Sequence, residues 1–168
     1  ISNPMRAKTT TNARIYPAGE LQLQAAPYDI LINEILADPI PALGLPAAEF
    51  IELYNRSENN INIANFELII GNSIRFLPDF NLSANHYVVL TDAENAATFT
   101  NSGAVIAVEN FPTLRNTGDQ IVLNNAAGDF IHAVNYRPAW YRNRNKADGG
   151  FTLELINPLA PCLAGAAN

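Results

Sequence analysis

The sequence predicts an all-β protein, built as an antiparallel sandwich or barrel of about nine short strands with one short helix. Apolar and polar residues alternate in short segments from residue 28 to residue 156, as in strands that bury one face. Gly, Pro, Asn and Asp recur between these segments, where turns are expected. Parallel strands need long crossover connections that are usually helical, and the sequence leaves no room for them. We therefore expect two packed antiparallel sheets.

The predicted strands follow one another from residue 30 onward. The first covers residues 30–36 and ends at Asp38-Pro39, and a loop with two more prolines leads to the second at residues 49–55. Later strands are expected at residues 60–64, 66–70, 74–77, 87–90, 104–108, 120–124, 130–136 and 151–156. Gly71-Asn72 and residues 125–128 are predicted hairpin turns. The single predicted helix covers residues 93–99, with Thr91 or Asp92 as its N-cap.

Length and composition limit the classes of protein that fit. A chain of 168 residues fits one domain, and its single cysteine excludes an intramolecular disulfide and a cysteine-rich zinc site. The net charge of −6 disfavours binding of nucleic acid or an anionic membrane by bulk charge. No apolar run is long enough to span a membrane.

Three regions are expected along the chain. Residues 1–27 form a linker or the remnant of a preceding module, and residues 28–161 form the sandwich. Leu21-Gln22-Leu23 alternates like a strand and could add to a sheet edge of the same or a neighbouring molecule, which would allow a homodimer. Residues 162–168 form a tail that carries Cys162 as an exposed thiol or as a disulfide partner of a neighbouring domain.

A series of short motifs runs through residues 28–161. The series comprises Ile32-Asn33-Glu34-Ile35, Asp38-Pro39, residues 49–55, residues 65–68, residues 87–91, Leu114-Arg115-Asn116-Thr117-Gly118-Asp119, residues 128–136, Trp140-Tyr141 and residues 149–154. In this order the motifs resemble the lamin tail domain in its bacterial form. Phe66 stands where that family usually has tryptophan.

The resemblance implies an immunoglobulin-like β-sandwich and a function. It implies an exported bacterial protein, extracellular, cell-surface or periplasmic, in which the domain is a non-catalytic module for adhesion or for binding a protein or polysaccharide. The alternative is an accessory domain of a larger secreted hydrolase that acts on nucleic acids, phosphate esters or glycans. What the full reading frame encodes beside this domain would distinguish the two.

Acidic residues dominate the first part of the predicted sandwich. Glu34 and Glu52 are expected on adjacent strands, with Asp38 and Glu49 near the ends of those strands. Calcium binds about six to eight oxygens, so these four carboxylates could form a calcium site. The alternative is a solvated face whose carboxylates accept backbone N–H bonds, and the lack of Asp-x-Asp-x-Asp-Gly spacing favours it. No other cofactor is expected.

Residues 137–146 carry four of the ten Lys and Arg side chains together with two aromatic residues. Guanidinium and indole groups suit an anionic glycan, a carboxylate-bearing peptide or single-stranded nucleic acid, although the net charge makes nucleic acid the least favoured of these. The alternative is that the aromatic residues pack against the sandwich. If the segment binds a partner, the expected binding residues are Trp140, Tyr141, Arg142 and Arg144.

Nothing in the sequence favours catalysis by this chain. His86 precedes a predicted strand and His132 lies within one, and neither accompanies a Gly-x-Ser-x-Gly motif. We expect both histidines to be packed or surface residues, and we expect the chain not to be an enzyme.

Overall fold

The structure, a computed structural model, describes residues 13–15 and 21–160. This part of the chain contains thirteen strands, one short α-helix and two 3₁₀ turns. The strands are β1 (Ala13–Ile15), β2 (Leu21–Leu23), β3 (Ile30–Leu36), β4 (Phe50–Asn55), β5 (Ile61–Asn62), β6 (Glu67–Ile70), β7 (Ser73–Phe76), β8 (Asn81–Leu82), β9 (Tyr87–Asp92), β10 (Val105–Val108), β11 (Asp119–Asn124), β12 (Phe130–Tyr136) and β13 (Leu153–Glu154).

Two larger sheets form the sandwich, which confirms the predicted all-β class. One has five strands in the order β10-β9-β4-β3-β13, and the other has four in the order β12-β11-β6-β7. Two further pairs, β5 with β8 and β1 with β2, stand outside these sheets. The predicted strands at residues 30–36 and 130–136 have the observed bounds, whereas β1 and the short β8 were not predicted.

The core lies between the two sheets because each strand turns its alternate apolar side chains inward. Ile51 pairs with Ile35 on one side and with Leu90 on the other, and all three are buried. Leu68 and Leu123 are paired in the opposite sheet and are fully buried. Phe66, just before β6, belongs to the same core.

The sheets are also joined by hydrogen bonds along the side where β3 and β12 approach each other. The Tyr28 N–H donates to the carbonyl of Ile131 at 2.8 Å. Four residues later, the Ile32 N–H donates to Nδ1 of His132 at 3.0 Å. His132 is only 1% exposed and is therefore packed, one of the two alternatives, packed or surface, predicted for the histidines.

The prediction that every strand pairs antiparallel was wrong at one position. β10 runs parallel to β9, with Val105 opposite Val89. Residues 93–104 make the crossover without a long helix, and they do so over the outer face of the five-stranded sheet. Phe99 lies there against Phe50, with ring centroids 5.6 Å apart at an angle of 82°, and both belong to a small outer cluster with Leu36 and Val89.

The helix predicted at residues 93–99 was also wrong. Only a 3₁₀ turn at Ala96–Thr98 forms there. The Asp92 carboxylate accepts from the N–H of Glu94 at 2.9 Å, as an N-cap does, and also from the N–H of Phe111 at 3.2 Å. The backbone bonds that follow close three-residue turns, from the Asn95 N–H to the Asp92 carbonyl and from the Thr98 N–H to the Asn95 carbonyl, so no α-helical turn forms. The α-helix, α1, lies instead at Arg144–Ala147.

The two predicted hairpin turns are confirmed. Ile70 pairs with Ser73 across Gly71-Asn72, and Gly71 has a φ of 56°. In the turn at residues 125–128, the Asn125 side-chain oxygen accepts from the N–H groups of Ala127 and Asp129 at 2.9 Å each. Gly128 there has a φ of 80°, which favours glycine.

Predictions for the two ends of the chain have different outcomes. The predicted strand at Leu21–Leu23 forms, and its partner is Ala13–Ile15 in an antiparallel pair. Most of the linker at residues 1–27 and the tail with Cys162 lie outside the described residues. Among the described helices, none has the length and apolarity that crossing a bilayer requires.

Candidate functional site

Residues 137–146, here called the basic segment, form two short helical turns near one end of the sandwich. A 3₁₀ turn covers Pro138–Tyr141 and begins with proline, whose fixed φ suits a first helical position. Arg142 then takes a left-handed conformation with a φ of 49°, which ends this turn. The Asn143 side chain caps α1 by accepting from the Asn145 N–H at 2.9 Å. The two turns therefore restrain the backbone of Arg142 and Asn143, which lie between them.

The two aromatic residues of the basic segment are partly packed. Trp140 is half-buried and contacts the main core. The Tyr141 hydroxyl donates to the carbonyl of Phe151 at 2.8 Å. Burial raises the pKa of the Tyr141 phenol, and the nearby Asp38 charge raises it further. Trp140 therefore packs against the sandwich, as the alternative prediction expected, and Tyr141 is anchored by its hydroxyl.

The cationic side chains of the basic segment face solvent. Arg142 and Arg144 are exposed. The Lys146 ammonium lies 5.6 Å from the ring centroid of Phe151, within the range of a cation–π contact. Over the part of the chain that the structure describes, the one ion pair joins Arg115 to Asp119 at 3.7 Å. The guanidinium groups of Arg142 and Arg144 are therefore not neutralised by a carboxylate there.

Two glycines that follow the basic segment, Gly149 and Gly150, lie against the loop that follows β3. The Gly150 N–H donates to the Asp38 carbonyl at 2.8 Å. A Cβ at Gly149 would collide with the carbonyl oxygen of Ile40, and a Cβ at Gly150 would collide with that of Pro41. Both glycines have positive φ, at 106° and 77°. Only residues without a side chain allow these two stretches of backbone to lie so close together.

The four carboxylates predicted to bind calcium form two pairs. Asp38 and Glu49 lie near each other beyond the ends of β3 and β4. Glu49 accepts from the Leu114 N–H at 2.8 Å. Burial is the main cause that raises the pKa of Glu49, and the Asp38 charge adds to it. Glu49 is therefore engaged with the backbone, as a structural carboxylate would be.

Glu34 and Glu52 form the second pair on the five-stranded sheet. They are opposite each other between β3 and β4, and Glu154 of β13 lies opposite Glu34 on its other side. Asn33 donates from Nδ2 to Glu52 at 3.0 Å. Burial raises the pKa of Glu52, with smaller contributions from the charges of Glu34 and Glu154. The place of Glu154 beside Glu34 was not predictable, because the register of β13 cannot be inferred from alternation alone.

We predict that calcium does not change the thermal midpoint of this protein. Among the described residues, no three His, Cys, Asp or Glu side chains group closely enough to hold a metal ion, whereas calcium needs about six to eight oxygens. Thermal unfolding should be followed with millimolar calcium and with a chelator, and with Glu34→Gln/Glu52→Gln beside the wild type. A calcium-dependent rise of the midpoint that this double variant abolishes would establish the calcium site instead.

The fold and this surface define an immunoglobulin-like β-sandwich of the interaction-domain class. The family model for the Lamin Tail Domain matches residues 24–138, and the chain belongs to this family. The family consists of non-catalytic immunoglobulin-like domains. The matched range ends at Pro138, so Trp140, Tyr141, Arg142 and Arg144 lie beyond it. No protein in the curated set matches the chain.

Proposed function

We propose that this domain is a non-catalytic interaction module of an exported bacterial protein and that it binds a protein or polysaccharide partner through the basic segment. The observation that carries the proposal is a pair of exposed arginines next to the half-buried Trp140 and Tyr141: Arg142 ends the turn that contains these rings, and Arg144 begins α1. Arginine on a rigid base is favoured at binding surfaces because its planar group donates several hydrogen bonds at small entropic cost. An anionic partner, such as an acidic polysaccharide or a carboxylate-rich peptide, fits this surface best.

Non-catalytic function is supported by how the described polar groups are used. His132 is buried and its Nδ1 accepts a backbone N–H, so that nitrogen is already occupied and cannot take a proton from a substrate. Glu49 and Glu52 have raised pKa values, but each accepts a hydrogen bond from its own surroundings. Family membership and the exposed arginines together favour binding over chemistry.

We predict that Arg142→Ala/Arg144→Ala elutes from immobilised heparin at a lower salt concentration than the wild type. Heparin is an anionic polysaccharide, and each arginine removed takes away one favourable interaction with its charges. Salt screens these interactions, so the variant should elute earlier in a salt gradient. Arg115→Ala is the matched control, because Arg115 is also exposed but is paired with Asp119. Circular dichroism should show that all variants keep the fold. Equal elution of the wild type and the double variant would remove the basic segment as the binding surface.

A further inference from the structure

The loop between β3 and β4 exposes three large apolar side chains close together in sequence. Ile40, Leu43 and Leu45 are 60%, 53% and 40% exposed. We call residues 39–47 the apolar tip. Single exposed apolar residues are common, but a cluster of them on one loop is a mark of an interaction surface. Nothing in the described residues covers these three side chains enough to bury them.

The backbone of the apolar tip is restrained by its own prolines and by the neighbouring residues 149–150. Pro39, Pro41 and Pro46 restrict its backbone. The backbone of Gly149 and Gly150 lies so close to the carbonyls of Ile40 and Pro41 that neither position has room for a Cβ. The Gly150 N–H also donates a hydrogen bond to the Asp38 carbonyl. The exposed side chains are therefore presented on a supported loop, and little conformational entropy is lost when they become buried in a partner.

The basic segment lies beside the apolar tip. The Tyr141 hydroxyl donates to the Phe151 carbonyl at 2.8 Å, and the Lys146 ammonium lies 5.6 Å from the Phe151 ring centroid. The neighbouring Gly150 donates its N–H to the Asp38 carbonyl at 2.8 Å, and it leaves no room for a Cβ beside the Pro41 carbonyl. The exposed Arg142, Arg144 and Lys146 are thus carried by a segment that is tied, through Gly150 and Phe151, to the base of the apolar tip.

We infer that this end of the sandwich docks onto a bilayer that contains anionic phospholipids. The apolar tip enters the boundary between headgroups and acyl chains, and Arg142, Arg144 and Lys146 contact headgroup phosphates. An apolar tip flanked by cations matches the two layers of a bilayer surface, apolar within and anionic outside. The cations of the basic segment fit an anionic glycan or an anionic bilayer alike, but a polysaccharide has no apolar phase to receive Ile40, Leu43 and Leu45, and the apolar tip therefore indicates lipid.

The inference rests on the proposed binding role of Arg142 and Arg144 and adds the apolar tip to it. The net negative charge of the chain does not oppose it, because at physiological salt a charge acts over roughly 8 Å and the local cations decide the contact. Docking of this kind needs no membrane-spanning segment. The bound state would be reversible and sensitive to salt.

The test is sedimentation of the protein with phosphatidylcholine vesicles and with vesicles of phosphatidylcholine mixed with phosphatidylglycerol. We expect the wild type to bind the mixed vesicles and to bind phosphatidylcholine alone much less. Arg142→Ala/Arg144→Ala should weaken binding to the mixed vesicles roughly 30-fold, the effect of two cations near an anionic surface. Ile40→Ser/Leu43→Ser should weaken it roughly tenfold or more, because the apolar contact is lost.

The matched control is Ile74→Ser/Phe76→Ser. These side chains are 49% and 64% exposed, but they lie on β7 at the edge of the other sheet. The control variant should bind the mixed vesicles as the wild type does. An equal loss in the control, or undiminished binding by Ile40→Ser/Leu43→Ser, would overturn the inference.

Heparin separates this inference from the proposed function. Ile40→Ser/Leu43→Ser should keep wild-type retention on heparin while it loses vesicle binding. Retention of the wild type on heparin without vesicle binding would overturn the lipid inference and leave the proposed function standing. Self-association that Ile40→Ser/Leu43→Ser abolishes, without vesicle binding, would assign the apolar tip to a second copy of the chain and overturn the lipid inference as well.

Discussion

Acidification from pH 6.5 to pH 4 should destabilise the protein by about 3 kcal/mol through His132 alone. Burial lowers the pKa of His132 from 6.5 to about 4 in the folded protein. Between these values the unfolded chain binds a proton that the folded protein does not. The stabilisation is therefore complete above pH 6.5 and is lost as the pH falls toward 4.

The geometry gives the physical reason for this sensitivity. Nδ1 of His132 accepts the Ile32 N–H at 3.0 Å, so the folded state holds the neutral ring with its hydrogen on Nε2. The nearest ring is Tyr28, 5.9 Å away and edge-on, which offers no charge to stabilise an imidazolium. Protonation would remove the acceptor and place a charge between β3 and β12, where the two sheets are joined.

Urea unfolding of the wild type and of His132→Asn at several pH values would measure this effect. The Asn side-chain oxygen can take the place of Nδ1 as an acceptor but does not titrate, so the variant should lose most of the pH dependence. Glu49 and Glu52 act in the opposite direction, because their raised pKa values stabilise the folded state as the pH falls. The difference between the two proteins isolates His132. The same slope in both would contradict the assignment.

Gly149→Ala should lower the free energy of unfolding by roughly 2–5 kcal/mol, from backbone strain and from overpacking together. Gly149 has a φ of 106°, which an alanine adopts only with strain. The added methyl would also collide with the carbonyl oxygen of Ile40 and lie close to the Asp38 carboxyl. Since both partners are parts of a supported loop, neither can move away cheaply.

Gly44→Ala separates strain from collision. Gly44, in the loop between β3 and β4, has a similar φ of 95°, but no atom lies within 4 Å of an added Cβ there. It should therefore cost only about 1 kcal/mol, from strain alone. Denaturant midpoints of both variants and the wild type would give the comparison. Equal costs at the two positions would mean that residues 149–150 are not seated on the apolar tip.

Sequence patterns predicted the strands well where an apolar-rich stretch was long and bounded by turn residues. β3 and β12 are the longest strands, with seven residues each, and their bounds were predicted correctly, although the irregular register after Ile32 interrupts alternation in β3. The parallel pairing of β10 was not predictable, because alternation indicates which residues face the core but not the direction in which a strand runs. The helix predicted at residues 93–99 does not form, because the backbone there closes successive three-residue turns, from Asn95 to Asp92 and from Thr98 to Asn95, while the chain crosses over to β10.

The candidate site was only partly predictable for the same kind of reason. The basic segment was visible as a run of cations, but whether Trp140 faces solvent or the core depends on tertiary packing. Glu34 and Glu52 were correctly expected on adjacent strands, whereas the presence of Glu154 beside them depends on the register of β13. The requirement for glycine at position 149 was not predictable, because it comes from the Ile40 carbonyl, which is distant in sequence but adjacent in the structure.

Hydrogen–deuterium exchange of the intact chain, with and without heparin fragments, tests most directly whether the basic segment is the binding surface. We predict slower exchange confined to residues 137–148 when heparin is present, with β7 and the outer face of the four-stranded sheet unchanged. Slower exchange at Ser73–Phe76 with none at residues 137–148 would place the binding surface on the other sheet and contradict this account.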